Sequence, residues 1–379
     1  MKAIINGRLI TPNKAGDFEV RTDTLLFTEK IEGITKDVPP ENTEIINAAG
    51  AYVAPGFINI HVHGAGGADT MDDAEDALGI MAQTQLNMGV TSFLPTTMTY
   101  DFPRIYRAFE RISQARENTT SARILGANME GPFISKKYKG AQAEENIINA
   151  DFSLIEKYTD VIKILTFAPE ELADFSFVKK CRENGIIPSI GHTAADFETA
   201  MAAVEAGATH FTHLYNAMTP FHHRRPGVVG AALDSDAYVE IIADNVHSTP
   251  TAQRILYKTK AKDKIILITD SLRACGLGDG ESELGGQKVF VNGTLATLAD
   301  GTIAGSVLKM NDAVRIFAEN TGADIAKAVE FCTKNPAVEL GLYDKIGSIE
   351  WGKLADLVIF DDKLQIKKVI VGGEVKVSV

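Results

Sequence analysis

Cysteine is scarce in this chain. Only Cys181, Cys275 and Cys332 occur among 379 residues, widely spaced and odd in number. No disulfide framework and no cysteine-type zinc site can be built from them, so they read as buried free thiols. Basic charge is also short: 38 Lys and Arg stand against 50 Asp and Glu, a formal net charge of −12. A field of that sign disfavours nucleic acid and anionic membrane as partners. It leaves room for a small anionic substrate, because a few local cations overrule the mean field at short range. No apolar run approaches the ~18–20 residues needed to span a bilayer. Met1 to Thr11 lacks the basic and long apolar regions of a secretory signal, so a cytoplasmic location is expected. Two nucleotide-binding fingerprints are missing as well, G-x-G-x-x-G after the first strand and G-x-x-x-x-G-K-[ST] anywhere.

What is present is a repeating pattern. Between residues 50 and 275, eight short β-branched runs end in polar or ionisable residues: Tyr52–Ile60, Val90–Pro95, Arg123–Met129, Val161–Phe167, Ile186–Ile190, His210–Thr212, Tyr238–Ala243 and Lys264–Thr269. Helical stretches lie between many of them: Ala74–Met88, Phe102–Glu117, Pro169–Asn184, Phe197–Ala206 and Thr249–Lys260, with Gly89, Gly185 and Gly207 as stop signals. Alternation of this kind predicts right-handed βαβ units and a parallel sheet, and eight of them predict a closed (β/α)₈ TIM barrel. The ends differ. Residues 1–52 and 346–379 hold short strand-like segments and turns, with Asn6-Gly7 and Gly372-Gly373 as hairpin signals. They are expected to pair into one small β-sandwich domain beside a catalytic barrel of residues 53–345. Two helices near Leu308–Asn320 and Ala323–Thr333 would join the two.

The eight histidines are placed informatively. His61 and His63 close the first strand, and residues two apart on a strand point the same way. Glu130 ends the third strand, His192 the fifth, His213 the sixth and Asp270 the eighth. In a barrel the C-terminal strand ends crowd around one mouth, so six candidate ligands or catalysts from five strands would meet there. Imidazole and carboxylate suit Zn²⁺, Fe²⁺, Mn²⁺ or a similar divalent cation. Any one of these residues alone is most simply a hydrogen-bonded polar side chain; the coincidence of all six at strand ends is what argues for a metal.

The run Pro55-Gly56-Phe57-Ile58-Asn59-Ile60-His61-Val62-His63-Gly64 resembles the first-strand signature of the amidohydrolase superfamily, and Ala355-Asp356-Leu357-Val358 resembles its closing β segment. Met129-Glu130-Gly131-Pro132-Phe133, Thr212-His213-Leu214-Tyr215-Asn216-Ala217-Met218 and Gly301-Thr302-Ile303-Ala304-Gly305-Ser306 narrow the resemblance to the N-acetylglucosamine-6-phosphate deacetylases, over essentially the whole chain. The resemblance implies hydrolysis of the acetamide of a phosphorylated amino sugar in amino-sugar catabolism or recycling, with one or two metal ions per subunit. Glu130, His192 and His213 would form the principal metal site, and His61 and His63 a second one bridged by Glu130. Asp270 would be the general base and acid. Asn216, Ala217 and Arg224 would contact the phosphate, His247 the sugar, and Ile303, Ala304 and Gly305 would cover the ligand. The resemblance also implies a homodimer; the Arg224 loop is long and follows the mouth, so Arg224 serves either its own cavity or that of a neighbouring subunit.

One departure stands out. Some relatives carry histidine after the Gly-Ala of the loop past strand three, whereas Gly140-Ala141 is followed here by Gln142. Ala141 and Gln142 are therefore expected to touch substrate with different chemistry. Three alternatives stay open: deacetylation of N-acetylgalactosamine 6-phosphate, cyclic-amide hydrolysis, and a non-catalytic scaffold. Cyclic-amide enzymes usually carry a bridging lysine at the end of strand four, and Lys163 sits within that strand instead. Lys136, Lys137 and Lys139, with His222 and His223, read as solvated loop residues.

Overall fold

Through the middle of the chain, strands too apolar to face water alternate with helices that can cover them. In the computed structural model, which describes residues 1–118 and 120–379, these strands curl into a barrel. Its staves are Phe57–Val62, Val90–Thr97, Ala127–Glu130, Ile162–Phe167, Ile187–Ile190, His210–Phe211, Tyr238–Ile242 and Ile265–Ile268. Each pairs in parallel with the next. Such a sheet is covered on both faces, and every residue of Val90–Thr97 is accordingly buried. The eighth stave meets the first only at the C-terminal mouth, where Asp270 N donates to His61 O at 3.0 Å and His63 N to Ser271 O at 2.9 Å. Toward the base a wedge, residues 331–339, stands between them. Ile58 N donates to Cys332 O, Leu267 N to Phe331 O, and Asn335 Nδ2 to Ile265 O.

Several boundaries differ from the sequence reading, each for a local reason. The run Tyr52–Ile60 is two strands, not one, because the chain changes sheets at Gly56. A Cβ there would sit 2.1 Å from Thr91 Oγ1. Arg123–Met129 is broken at Gly126, whose φ is +143°. The Pro169–Asn184 helix reduces to a single turn at Pro169–Glu171 and a helix at Ser176–Glu183. Asn6-Gly7 makes no hairpin: Asn6 alone of the pair has positive φ, and the strands either side, Lys2–Ile5 and Arg8–Pro12, enter different sheets. A two-residue type I′ turn needs both central residues in the left-handed region. Gly372-Gly373, at +56° and +77°, meets that demand and joins Ile366–Val371 to Glu374–Ser378. Gly89, Gly185 and Gly207, at +84°, +75° and +120°, end their helices.

Both chain ends build a β-sandwich. One sheet orders Ile31–Thr35, Thr24–Phe27, Lys2–Ile5 and Glu44–Asn47. The other orders Glu374–Ser378, Ile366–Val371, Leu357–Phe360, Tyr52–Pro55, Arg8–Pro12 and Phe18–Arg21. Ile4, Leu25 and Phe27 of the first sheet pack on Leu9, Val53 and Ile370 of the second. A boundary drawn after residue 52 would cut the strand Tyr52–Pro55, whose partners all lie in the sandwich. A third sheet, antiparallel, was not foreseen: Gly280–Leu284, Gln287–Asn292 and Leu295–Thr297. It rises from the mouth after strand eight. Its alternating apolar residues and the Gly285-Gly286 turn are a hairpin signal present in the sequence.

Asp356 ties the sandwich to the barrel. Nearly buried, it accepts from Arg123 Nε at 3.0 Å, Arg123 Nη2 at 3.2 Å and Gly372 N at 2.7 Å. Asp356→Ala strands three donor atoms on two residues and is expected to lower stability by about 2–3 kcal/mol, read as a lower urea midpoint with an unchanged far-UV spectrum.

Candidate active site

At the C-terminal mouth three strand ends turn abruptly. His192, His213 and Asp270 have φ of +48°, +29° and +48°. Non-glycine residues adopt this left-handed region at a cost of about 1–3 kcal/mol each. The kink ends each strand and directs its side chain over the barrel axis. Backbone contacts hold the kinks. His213 N donates to Glu240 Oε2 at 2.9 Å, and Asp270 N and O bond to His61 O and Ser306 N. Beside His192, Glu170 accepts from the Thr193 hydroxyl and from Ala194 N.

The side chains meet on one carboxylate. Glu130 Oε1 lies 3.1 Å from His192 Nε2, 3.0 Å from His213 Nε2 and 3.4 Å from His61 Nε2; Oε2 lies 3.1 Å from His63 Nε2. Asp270 Oδ1 is 3.4 Å from His61 Nε2 and 3.2 Å from His63 Nε2. All six groups are buried. Three of the four outer ring nitrogens are held from behind. His61 Nδ1 contacts Glu240 Oε2 at 3.0 Å, His63 Nδ1 the Thr96 carbonyl at 3.2 Å and His192 Nδ1 the Tyr138 carbonyl at 2.9 Å. A carbonyl only accepts, so His63 and His192 carry their proton on Nδ1 and present an Nε2 lone pair inward when neutral.

This set fits a cation better than it fits itself. His61 Nε2 and Asp270 Oδ1 are buried yet make no aligned hydrogen bond among the described residues, despite their near neighbours. The Nε2 atoms of His192 and His213 face each other at 3.1 Å. Two groups of three can each hold a metal ion: His61, His63 and Glu130, and Glu130, His192 and His213, with Glu130 common to both. Imidazole and carboxylate are borderline-to-hard donors, as divalent transition metals require.

A cavity of about 280 Å³ opens onto this centre. Of the residues singled out in the sequence, His63, Glu130, Ala141, Gln142, His192, His213, Asn216, Ala217, His247, Asp270, Ile303 and Gly305 line it. His61 lies buried behind them and Ala304 is fully buried, donating its backbone N–H to Ala296 O, so Ala304 braces the loop and does not face the cavity. Arg224 is the clear exception. It is exposed and lines a separate hollow with Asp196, Phe197 and Pro220, outside the cavity of its own chain. Gln142 is drawn inward. Its Nε2 donates to Glu130 Oε2 at 2.6 Å and its Oε1 accepts from Thr99 N at 2.8 Å. Met98, Leu284 and Thr302 also line the cavity. None is chemically distinctive, and only the unforeseen antiparallel sheet brings Leu284 there.

The match to known proteins agrees with this geometry. Residues 52–376 match the family model described as Amidohydrolase family. The chain belongs to that family. It is 43% identical to the N-acetylglucosamine-6-phosphate deacetylase of Bacillus subtilis (strain 168), across 91% of this chain and 90% of the relative. It is 34% identical to the N-acetylgalactosamine-6-phosphate deacetylase of Escherichia coli O157:H7, across 90% and 92%. Among solved structures, the N-acetylglucosamine-6-phosphate deacetylase from Pasteurella multocida superposes with a TM-score of 0.94 at 32% identity, covering both chains completely.

Burial alone would keep His63 neutral, but the Asp270 and Glu130 carboxylates outweigh it and push its pKa up to about 10. His61 is raised in the same way, against its burial, by Glu240, Asp270 and Glu130. Without a cation, the neighbouring carboxylates thus favour the protonated form of both rings. An entering divalent ion must displace these protons, so its affinity rises with pH from neutral toward about 10. Zn²⁺ titrated at pH 7 into chelator-treated protein is expected to release protons. The check is the slope of calorimetric binding enthalpy against buffer ionisation enthalpy; a zero slope contradicts the assignment.

Proposed function

We propose that this amidohydrolase removes the acetyl group of N-acetylglucosamine 6-phosphate, giving glucosamine 6-phosphate and acetate. The observation carrying the reading is the convergence of four imidazoles on Glu130, beside Asp270, at the floor of a cavity in a chain so similar to deacetylases of that substrate. Glu130, His192 and His213 would hold the principal cation, and His61 and His63 with Glu130 a second. A divalent ion held there lowers the pKa of water from about 15.7 to about 7 and polarises a carbonyl. Asp270 is suited to move the proton. Burial alone would raise its pKa, but His61 and His63 outweigh that and hold it below the usual carboxylate range. It would accept a proton from the attacking water and return it to the amide nitrogen as the C–N bond breaks. His247, with Nδ1 2.6 Å from Asp244 Oδ2, lines the cavity and would offer Nε2 to the sugar.

Asn216 and Ala217 line the cavity where a phosphate would lie, and Ile303 to Gly305 roof it. Arg224, outside its own cavity, would reach the phosphate from a neighbouring copy in a homodimer. Arginine offers paired donors matched to phosphate oxygens. We further assign residues 1–55 and 347–379 to a supporting β-sandwich and the remainder to the catalytic barrel. A cytoplasmic location suits three buried free thiols, two of which, Cys181 and Cys275, burial pushes up to about 12. No helix among the described residues is long and apolar enough to cross a membrane. The 34% identity to the galactosamine enzyme makes N-acetylgalactosamine 6-phosphate the second reading.

Acetate release from a panel of N-acetyl amino sugars, with and without 6-phosphate and before and after chelation, tests the reading. Activity on a phosphorylated sugar that is lost on chelation is expected; activity surviving full metal removal would sink it. Asp270→Asn should cost at least ~10³ in kcat while the purified protein keeps its divalent ion. Near-normal turnover would remove Asp270 from the reaction. Arg224→Ala should raise KM for the phosphorylated sugar at least ~10-fold and leave KM for the unphosphorylated sugar unchanged; equal effects would detach Arg224 from the phosphate.

A further inference from the structure

Behind the ligand cluster lies a buried acid that the reaction does not need. Glu240, on the seventh stave, is fully buried. Its Oε2 receives His61 Nδ1 at 3.0 Å and His213 N at 2.9 Å. One oxygen thus touches a member of each three-residue group. Its Oε1 lies 3.2 Å from His210 Nε2, an ion-pair contact without hydrogen-bond alignment. The other nitrogen of His210, Nδ1, lies 2.7 Å from Glu339 Oε1. His210 and Glu240 are fully buried, and the side chain of Glu339 is nearly so. Glu339 ends the helix Lys334–Glu339, in the wedge that separates staves one and eight.

A buried carboxylate is costly unless its lone pairs are used. Packing these interior positions with apolar side chains would avoid that cost, so the network calls for another explanation. His210 stands between the two carboxylates, 3.2 Å from Glu240 Oε1 and 2.7 Å from Glu339 Oε1, and so links Glu240 to the wedge. On the cavity side, the 3.0 Å contact of Glu240 Oε2 with His61 Nδ1 fixes the ring so that Nε2 faces Glu130. We propose that Glu240, backed by His210 and Glu339, is a positioning group that sets His61 and His213 together and so couples the two halves of the metal centre to the wedge at the barrel base.

The inference rests on the two groups being metal sites, and the experiment separates the two ideas. Co²⁺ is titrated into chelator-treated full-length protein, following affinity and the visible d–d absorption. Wild type, Glu240→Gln, Glu339→Gln and the double variant are compared. Glu240→Gln is expected to bind Co²⁺ about 10–100-fold more weakly, the usual effect of losing a carboxylate that orients a metal-ligating histidine, with an altered spectrum. Glu339→Gln, remote from the cavity, is expected to shift both readouts in the same direction by less. The double variant should be no worse than Glu240→Gln, because the two groups act through one route. Wild-type affinity and spectrum in Glu240→Gln, or additive effects in the double variant, overturn the proposal. If Glu240→Gln does not fold, Glu339→Gln and His210→Gln decide: an unchanged spectrum in both overturns it. Wild-type protein that binds no Co²⁺ overturns the metal-site reading itself, and the proposal with it.

Discussion

The structure depends on one electrostatic constraint: a carboxylate with almost no access to water, Glu130, with four imidazoles within 3.4 Å. Burying that charge is expensive, and burying it beside a second carboxylate, Asp270, is more so. Protonated imidazoles can neutralise the pair, but only by filling the pocket with positive charge that a divalent ion would otherwise supply. Inward-facing Nε2 atoms, one shared acid, and the Nδ1 atoms of His61, His63 and His192 tied to acceptors make a site suited to a cation. Donors in this geometry suit a divalent cation, and the hydrolase class comes from the family to which the chain belongs.

The fold delivers those donors by giving up stability locally. Three of the site residues sit in the left-handed region immediately after a strand, and their backbones are held by neighbouring strands and loops. A barrel can absorb such strain because parallel pairing and apolar packing over eight staves fix the strand ends from outside. The wedge at residues 331–339 shows the same division of labour. It lets staves one and eight separate toward the base while their C-terminal ends bond directly, bringing His61, His63 and Asp270 together.

The cavity is assembled from parts of unequal legibility. Its floor is strand ends and its roof is the loop Ile303–Gly305, braced on the antiparallel sheet that rises after strand eight. Gln142 illustrates a role that neither residue type nor position announces. As a bare amide in a loop it reads as a substrate contact, yet it is buried and bound to Glu130. It lines the cavity too, so it stands between orienting the bridging acid and meeting the ligand.

Periodicity and end signals determined a great deal unaided. Eight apolar runs, each closing in polar residues, were enough for the barrel, and His61, His63, Glu130, His192, His213 and Asp270 were visible because strand ends in a parallel barrel share one mouth. Such features are local: a strand, its direction and its last residue are written in consecutive letters. What consecutive letters do not contain is the relation between distant segments. The break at Gly56 falls where Thr91 leaves no room for a Cβ. The failure of Asn6-Gly7 to form a hairpin follows from its two strands joining different sheets. Glu240 appears in the sequence as one acid within an apolar strand; only packing puts His61, His213 and His210 around it. Arg224 shows the same limit, since its sequence neighbours lie at the mouth while its side chain lies outside, and long-range geometry decides which molecule it serves.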